Sequence, residues 1–238
     1  MAKSQLAKSP AVKTPAIQSR AVKTQAKGQR KRYHLIEAAI RVVGRKGAAR
    51  ATIQDVAQEA GLSVGLANFY FAGKDELFRT AFQSMAEEYE VAWRRRVQEL
   101  TEPLAVIDAM IQSAFDPQVL DQAKAAAWFS FWGEACAGDV SFQVTDQIEQ
   151  SFTDEIMKQC LILARLQQRP AAEARDIGRT LEALIEGLWS GFAVPGNKLR
   201  ITQAIRLCRQ YIAQSFGSVA GPTVKPAAKR RPATSAKR

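Results

Sequence analysis

The stretch TIQDVAQEAGLSVGLANFYFAGKDELF, residues 52–78, holds residue types whose order can do chemistry on another molecule. Ala57 is small where a second helix would cross the first. Gly61, four residues on, tolerates the positive φ of a tight turn. Ser63 is a good N-cap for the helix that follows. Val56, Ala60, Leu62 and Ala67 can fill the core shared by the two helices. Two short helices crossing this closely form a helix-turn-helix. The second then lies in the major groove of DNA while the first crosses the backbone. Taken alone, Ala-x3-Gly-x-Ser also fits an ordinary turn between helices. The remaining reactive residue types form no catalytic constellation. His34 is the only histidine and reads as surface or packing. Cys136, Cys160 and Cys208 are far apart and odd in number, which argues against a disulfide framework or a metal knuckle. They read as buried thiols in a reducing cytoplasm. No nucleophile–base pair, metal spacing or phosphate loop is present, so neither an enzyme nor a cofactor or metal site is expected.

The charge distribution narrows the DNA site. The chain of 238 residues carries a formal net charge of +11. Residues 1–29 hold six basic residues and no acid, and so do residues 217–238. The body, 30–216, is left with 22 basic and 23 acidic residues, close to −1. It is no general basic platform, so a DNA site within it must be local. The tails are Lys/Ala/Pro/Thr-rich, with AVKT at 11–14 and again at 21–24. They are expected to be disordered, because such segments bury too little apolar surface to offset their ordering entropy. Acting alone, they would suit a nucleoid-associated or architectural DNA-binding protein, binding phosphates without reading sequence. An organelle transit peptide is a further reading of the first tail, weakened by Pro10 and Pro15. No run of about 18 apolar residues is present, so no membrane-spanning helix is expected. No apolar h-region follows the N-terminal charges, so no secretory signal is expected either.

Helical periodicity runs through the whole body, and the fold class is all-α. The pattern predicts a first helix over about 30–46, ended by Gly47. A short second helix follows Thr52, with Asp55 placed for a capping box. A third starts at Ser63 and runs to about Tyr70. A long fourth starts near Lys74, where Asp75 and Glu76 suit the positive end of its dipole. Further helices are expected at about 103–114, 117–137, 140–167, 171–193 and 198–216. Pro103, Pro117 and Pro170 suit first helical positions, and Asp116 suits a cap. Pro195-Gly196-Asn197 reads as a turn. The expected division is a helix-turn-helix domain at 30–82, a larger helical domain at 83–216, and the two tails.

The continuation Phe69-Tyr70-Phe71-Ala72-Gly73-Lys74-Asp75-Glu76-Leu77-Phe78 resembles the DNA-binding domain of TetR-type transcriptional regulators. In that family a tyrosine–phenylalanine pair, a short turn and a lysine open the fourth helix. The first-helix segment RKRYHLIEAAIRVVGRKG is similar as well. The resemblance covers about 30–82. It implies that Thr52, Tyr70 and Lys74 contact phosphates, while Ser63, Val64, Gly65, Leu66, Asn68 and Phe69 face the groove. The chemistry agrees at several positions. Lysine and helix N-termini favour phosphate. Asn68 can pair with an adenine edge, and Val64 or Leu66 can touch a thymine methyl. With no Arg or Gln on this helix, an A·T-leaning or shape-dependent site is expected. Tyr70 is equally suited to a core ring and to a ring that packs while its hydroxyl points outward. Arg30, Lys31 and Arg32 can track the backbone or enter the minor groove, or form a solvated face.

Ala127-Trp128-Phe129-Ser130-Phe131-Trp132 and LEALIEGLW at 181–189 resemble the BetI-type C-terminal domain over roughly 120–216. Those relatives repress glycine-betaine synthesis genes and respond to choline. The resemblance implies a double-stranded operator, a choline-like cationic effector and a homodimer. Trp128, Phe131, Trp132 and Ala135 share one helical face by spacing. Aromatic faces attract quaternary ammonium groups, and Glu134 or Glu186 can add negative charge. A pocket touching Trp128, Trp132 and Trp189 is expected. An aromatic stripe at helical spacing also serves as plain core. In this family the last two helices dimerise as a four-helix bundle, and Ile201, Ile205, Cys208 and Ile212 form a stripe suited to that.

Overall fold

The computed structural model describes residues 15–136 and 146–217, with side chains for 26–134 and 150–217. Its regular elements are helices: α1 (Pro15–Lys46), α2 (Ile53–Glu59), α3 (Val64–Tyr70), α4 (Lys74–Val97), α5 (Pro103–Ala114), α6 (Gln122–Cys136), α7 (Asp146–Leu166), α8 (Ala171–Ala193) and α9 (Ile201–Phe216). Among the described residues there is no strand.

Local chemistry sets most of the boundaries. Gly47, at φ +78°, closes α1. Thr52 and Asp55 form a reciprocal capping box at the start of α2. Asp75 and Glu76 in the first turn of α4, and Arg94–Arg96 in its last, both suit the helix dipole.

Two stretches depart from the sequence expectation. The 1–29 tail was expected to be disordered, yet α1 starts at Pro15. The Ala, Gln, Lys and Arg between them are strong helix formers. A helix already anchored by the buried residues between Leu35 and Val43 extends at one hydrogen bond per residue. Residues 1–14 and the C-terminal tail from 218 lie outside the described residues. The helix expected from Pro117 begins only at Gln122. The Asp116 carbonyl accepts from the Val119 and Leu120 amides at 2.9 and 2.8 Å, closing a turn that buries both side chains. Asp121 then caps α6, accepting from the Lys124 amide at 2.7 Å.

The helices enclose two apolar cores. The first is built from α1, α2, α3 and the first half of α4, with Leu35, Val43, Phe71, Phe78 and Phe82 at its centre. The second lies among the rest of α4 and α5–α9, around Trp93, Ile107, Phe115, Ile156 and Leu181. Asp108, buried on α5, pairs with Arg209 of α9 through two hydrogen bonds of 2.5 and 2.9 Å. The α9 stripe expected at a dimer interface points inward instead. Cys208 and Ile212 are buried with Ala204 and Phe216 inside the protomer, and half-buried Ile201 and Ile205 pack on the same core. A stripe at i, i+4 spacing is what any helix needs to seat on its own body. The same periodicity therefore did not distinguish the two partners.

Helix α6 joins the cores. Its Ala127 and Phe131 belong to the first, and Trp128 packs against both. The approach to α1 is close: a Cβ on Gly44 would stand 2.4 Å from the Ala123 carbonyl oxygen. Gly44→Ala is expected to cost about 1–3 kcal/mol by forcing these backbones apart, read as a lower denaturation midpoint in urea.

Candidate nucleic-acid interface and aromatic cavity

The first candidate site is the α2–α3 pair. Val56, Ala57, Ala60 and Ala67 are buried between and beneath these helices, and Leu62 is half-buried. Gly61 takes φ +63° at the turn, a conformation that favours glycine. Ser63 caps α3, its Oγ accepting from the Leu66 amide at 3.2 Å. The outer face of α3 carries Ser63, Val64, Gly65, Asn68 and Phe69, all exposed, with Leu66 and Tyr70 half-buried. Phe69 is 77 % exposed, an unusual state for a phenylalanine, and its ring meets that of Tyr70 edge-on at 5.2 Å. A Cβ on Gly28 would lie 3.4 Å from the Tyr70 hydroxyl. The α1 extension therefore passes over the end of α3.

Behind this face, ion pairs fix α2 to α1. Arg41 and Arg45 grip Glu59 at 2.9 and 2.5 Å, and Lys46 reaches Asp55 at 2.7 Å. Arg45 and then Arg41 hold the Glu59 carboxyl below the usual range. Lys46 and Thr52 do the same for Asp55. Both pairings persist above the ordinary carboxylate pKa and weaken as pH falls through the lowered one. The remaining predicted contact residues are partly engaged already. The Thr52 hydroxyl donates to Asp55 Oδ2 at 2.9 Å. Lys74 Nζ donates to the Ala49 carbonyl at 3.2 Å and sits 5.3 Å from the centre of the Phe78 ring. Arg32 stacks over Phe71 at 5.0 Å, Arg30 is exposed and Lys31 is half-buried.

The second candidate site is a cavity of about 400 Å³ in the body. Trp128, Phe129 and Trp132 of α6 form one wall, and Tyr89 of α4 another. Phe152, Thr153 and Gln150 of α7 face Glu182, Ile185, Glu186 and Trp189 of α8. The rings support one another edge to face. Trp189 lies 5.7 Å from Trp128 and 5.4 Å from Tyr89, and its Nε1 donates to the Ala114 carbonyl at 2.8 Å. Thr153 donates its hydroxyl to Glu182. Partial desolvation, and then the charge of Glu182, push the Glu186 carboxyl above its ordinary range. Among the described residues that line this space there is no lysine, arginine or histidine. A cage of π faces with two carboxylates can hold an organic cation.

Of the residues predicted to bind ligand, Trp128, Trp132, Trp189 and Glu186 line the cavity. Phe131 and Glu134 do not. Phe131 is fully buried in the first core, 6.0 Å from Phe78 and 5.3 Å from Phe82. On a helix, positions 131 and 132 point about 100° apart. Wedged between two cores, α6 sends Trp132 to the cavity and Phe131 to the other side. Sequence reasoning missed Tyr89, Phe152 and Glu182. Glu182, one turn before Glu186 on α8, was the one with a visible signal.

The two sites are linked through a side chain of α6. Ser130, on the same turn of α6, accepts a hydrogen bond from the Ala48 amide at 2.7 Å, in the loop between α1 and α2. Cys160 and Cys208 are buried, and burial pushes both thiols up to about 12, so neither is a nucleophile at neutral pH. His34 is exposed, and the side chain of Cys136 lies outside the described residues. No helix among the described residues is long and apolar enough to cross a membrane.

Two family models match. Residues 35–81 fit the bacterial regulatory proteins of the tetR family, and residues 103–217 fit the C-terminal domain of BetI-type transcriptional repressors. The HTH-type transcriptional regulator BetI 2 of Chromohalobacter salexigens is 30% identical over 186 residues, covering 77% of this chain and 87% of that protein. BetI of Escherichia coli K12 is 27% identical over 186 residues, covering 77% of this chain and 93% of its own length. A transcriptional regulator of Saccharomonospora viridis, solved in complex with choline, superposes with a TM-score of 0.66 at 16% identity, over 77% of this chain and 96% of that one.

The division of α6 between its two sides has a direct test. Phe131→Ala is expected to cost about 3–5 kcal/mol, as a fully buried ring does. Trp132→Ala, at a residue 48 % exposed, is expected to cost under about 1 kcal/mol. Chemical denaturation of the two variants, followed by helicity, checks the contrast.

Proposed function

Since the chain belongs to the TetR family of bacterial regulatory proteins and carries the C-terminal domain of BetI-type transcriptional repressors, we propose that it holds an operator as a homodimer and releases it when choline or a close quaternary ammonium analogue fills the aromatic cavity. One observation carries this reading. Helix α6 presents Trp128 and Trp132 to the cavity and Phe131 to the core beneath the α2–α3 pair.

In this reading residues 30–82 form the DNA-binding head and residues 83–216 the effector and dimer body. The exposed face of α3 enters the major groove. Asn68 reads an adenine edge, and Val64, Leu66 and Phe69 meet thymine methyls or sugars. Phosphates are met by Lys74, by Tyr70 and by the amide end of α2 near Thr52, with Arg30, Lys31 and Arg32 along the backbone or minor groove. Lys74 keeps three donor hydrogens, so one bond to Ala49 leaves capacity for phosphate. The Thr52 hydroxyl is committed to its cap, so the helix end is the better phosphate partner there. Two heads about 34–36 Å apart would match successive major grooves.

The ligand acts only through its differential affinity for two states. The rings of Trp128, Trp132, Trp189 and Tyr89 offer π faces to a quaternary ammonium, and Glu186 and Glu182 offer charge. The choline complex of the Saccharomonospora viridis regulator supports choline as the first ligand to try. Repositioning Trp128 around a cation would shift α6, and with it Phe131 and the Ser130–Ala48 hydrogen bond. That would favour a head spacing with lower operator affinity.

Titrating choline while following tryptophan fluorescence and retention of a duplex from the region upstream of the protein's own gene tests the proposal. Saturable fluorescence change together with duplex release is expected. A duplex that stays bound while fluorescence is unchanged removes choline as the effector. A purified protein that retains no duplex, including any recovered by selection from random sequence, overturns the DNA-binding reading itself.

A further inference from the structure

Glu182 and Glu186 stand one turn apart on α8, and both line the aromatic cavity. Arg179 precedes Glu182 by three residues on α8, but no lysine, arginine or histidine is among the described residues that line the cavity. The facing wall of α7 contributes Gln150 and Thr153, which are neutral. Among the described lining residues, α6 contributes aromatic rings and α4 contributes Tyr89, the one other titratable group. The two carboxylates differ in support. Glu182 accepts the Thr153 hydroxyl, whereas Glu186 makes no hydrogen bond or ion pair among the described residues.

We propose that Glu182 and Glu186 form a coupled pair that holds a proton while the cavity is empty and surrenders it to solvent when a cation enters. This deepens the proposed effector reading and rests on it. Two carboxylates sharing a partly desolvated site resist ionising together, so one keeps its proton to a higher pH. Glu186 is the one that keeps it, because partial desolvation and the neighbouring Glu182 both raise its carboxyl, and among the described residues no hydroxyl donates to it as Thr153 does to Glu182. An entering quaternary ammonium has no proton to donate and brings a fixed positive charge. It stabilises both carboxylates as anions, and the proton leaves the Glu186 carboxyl oxygen for water. The bookkeeping is one cation in and up to one proton out, with no covalent change. Glu182 is thereby a binding residue of the site, acting by charge on the ligand and on its neighbour.

The sign follows from linkage. Below the Glu186 pKa of the empty site, binding must expel a proton, so affinity rises with pH by up to tenfold per unit. Above that pKa both carboxylates are already ionised and affinity levels off.

The test is calorimetric titration of the full-length protein with choline chloride from about pH 5 to about pH 8, a span covering the carboxylate range and above. At the acidic end the titration is repeated in two buffers of different ionisation enthalpy, which counts released protons. Rising affinity with fractional to full proton release at low pH is expected, with release vanishing at high pH. Glu186→Gln should give a weaker, pH-flat affinity and no proton release. Glu182→Gln should move the rise to lower pH, since it removes the repulsion on Glu186. Unchanged helicity and an unchanged urea denaturation midpoint without ligand establish that both variants are folded. Choline binding that is pH-flat in the wild-type protein overturns the proton exchange and leaves the effector reading standing. Absence of binding by both choline and tetramethylammonium at every pH overturns the cation site itself, and the pair's role with it.

Discussion

One helix is asked to satisfy two cores at once, and the remainder of the molecule is arranged around that constraint. Phe131 fills the head core against Phe78 and Phe82. One turn earlier Ala127 does the same, while Trp128 and Trp132, each the next residue along, wall the cavity. The spacing of these side chains is fixed by helix geometry, so neither set can rotate without the other. At Gly44 the α1 backbone comes so near Ala123 that only glycine fits. At Ser130 a side chain completes the hydrogen bonding of the Ala48 amide. Packing at this density is poor at absorbing continuous deformation and well suited to switching between discrete arrangements.

The head is otherwise a self-contained unit. Its short helices would be marginal alone. They persist because caps at Thr52 and Ser63 satisfy their first amides, and because the Glu59 and Asp55 ion pairs hold α2 to α1. These are exposed or half-exposed interactions, each worth little, and the buried alanines and phenylalanines supply most of the holding force. The result is an outer α3 face whose side chains are largely exposed. Phe69, open to solvent, has no folding role in view and is free to meet a partner.

Local chemistry explains which parts of the fold could be read from the sequence. Gly61, Ser63 and the Thr52–Asp55 pair act within a few residues of themselves, so the helix-turn-helix was legible together with the faces of α3. The long-range features were less so. The cavity wall draws Tyr89, Phe152 and Glu182 from three helices whose juxtaposition no local pattern encodes. Phe131 looked like a companion of Trp128 because a helical wheel places it within the same half-turn, and a wheel cannot show that two cores flank the helix. The α9 stripe at Cys208 and Ile212 carried the right period but not the identity of its partner, which is the protomer's own body. Composition misled at 15–29, where a tail poor in large apolar residues is nonetheless rich in helix formers and continues an anchored helix. Pro117 misled because a proline suits a turn as readily as a first helical position.

The connection between cavity and head rests on the short path from Trp128 through Ser130 to Ala48. Amide hydrogen exchange, resolved to the Ala48 amide and along α6, measures that path with and without saturating choline. Ligand binding should change exchange at Ala48 and in the α6 residues facing α1, in step with loss of the duplex. Exchange changes confined to α7 and α8, with Ala48 unaltered while the duplex is still released, would contradict the role given to α6.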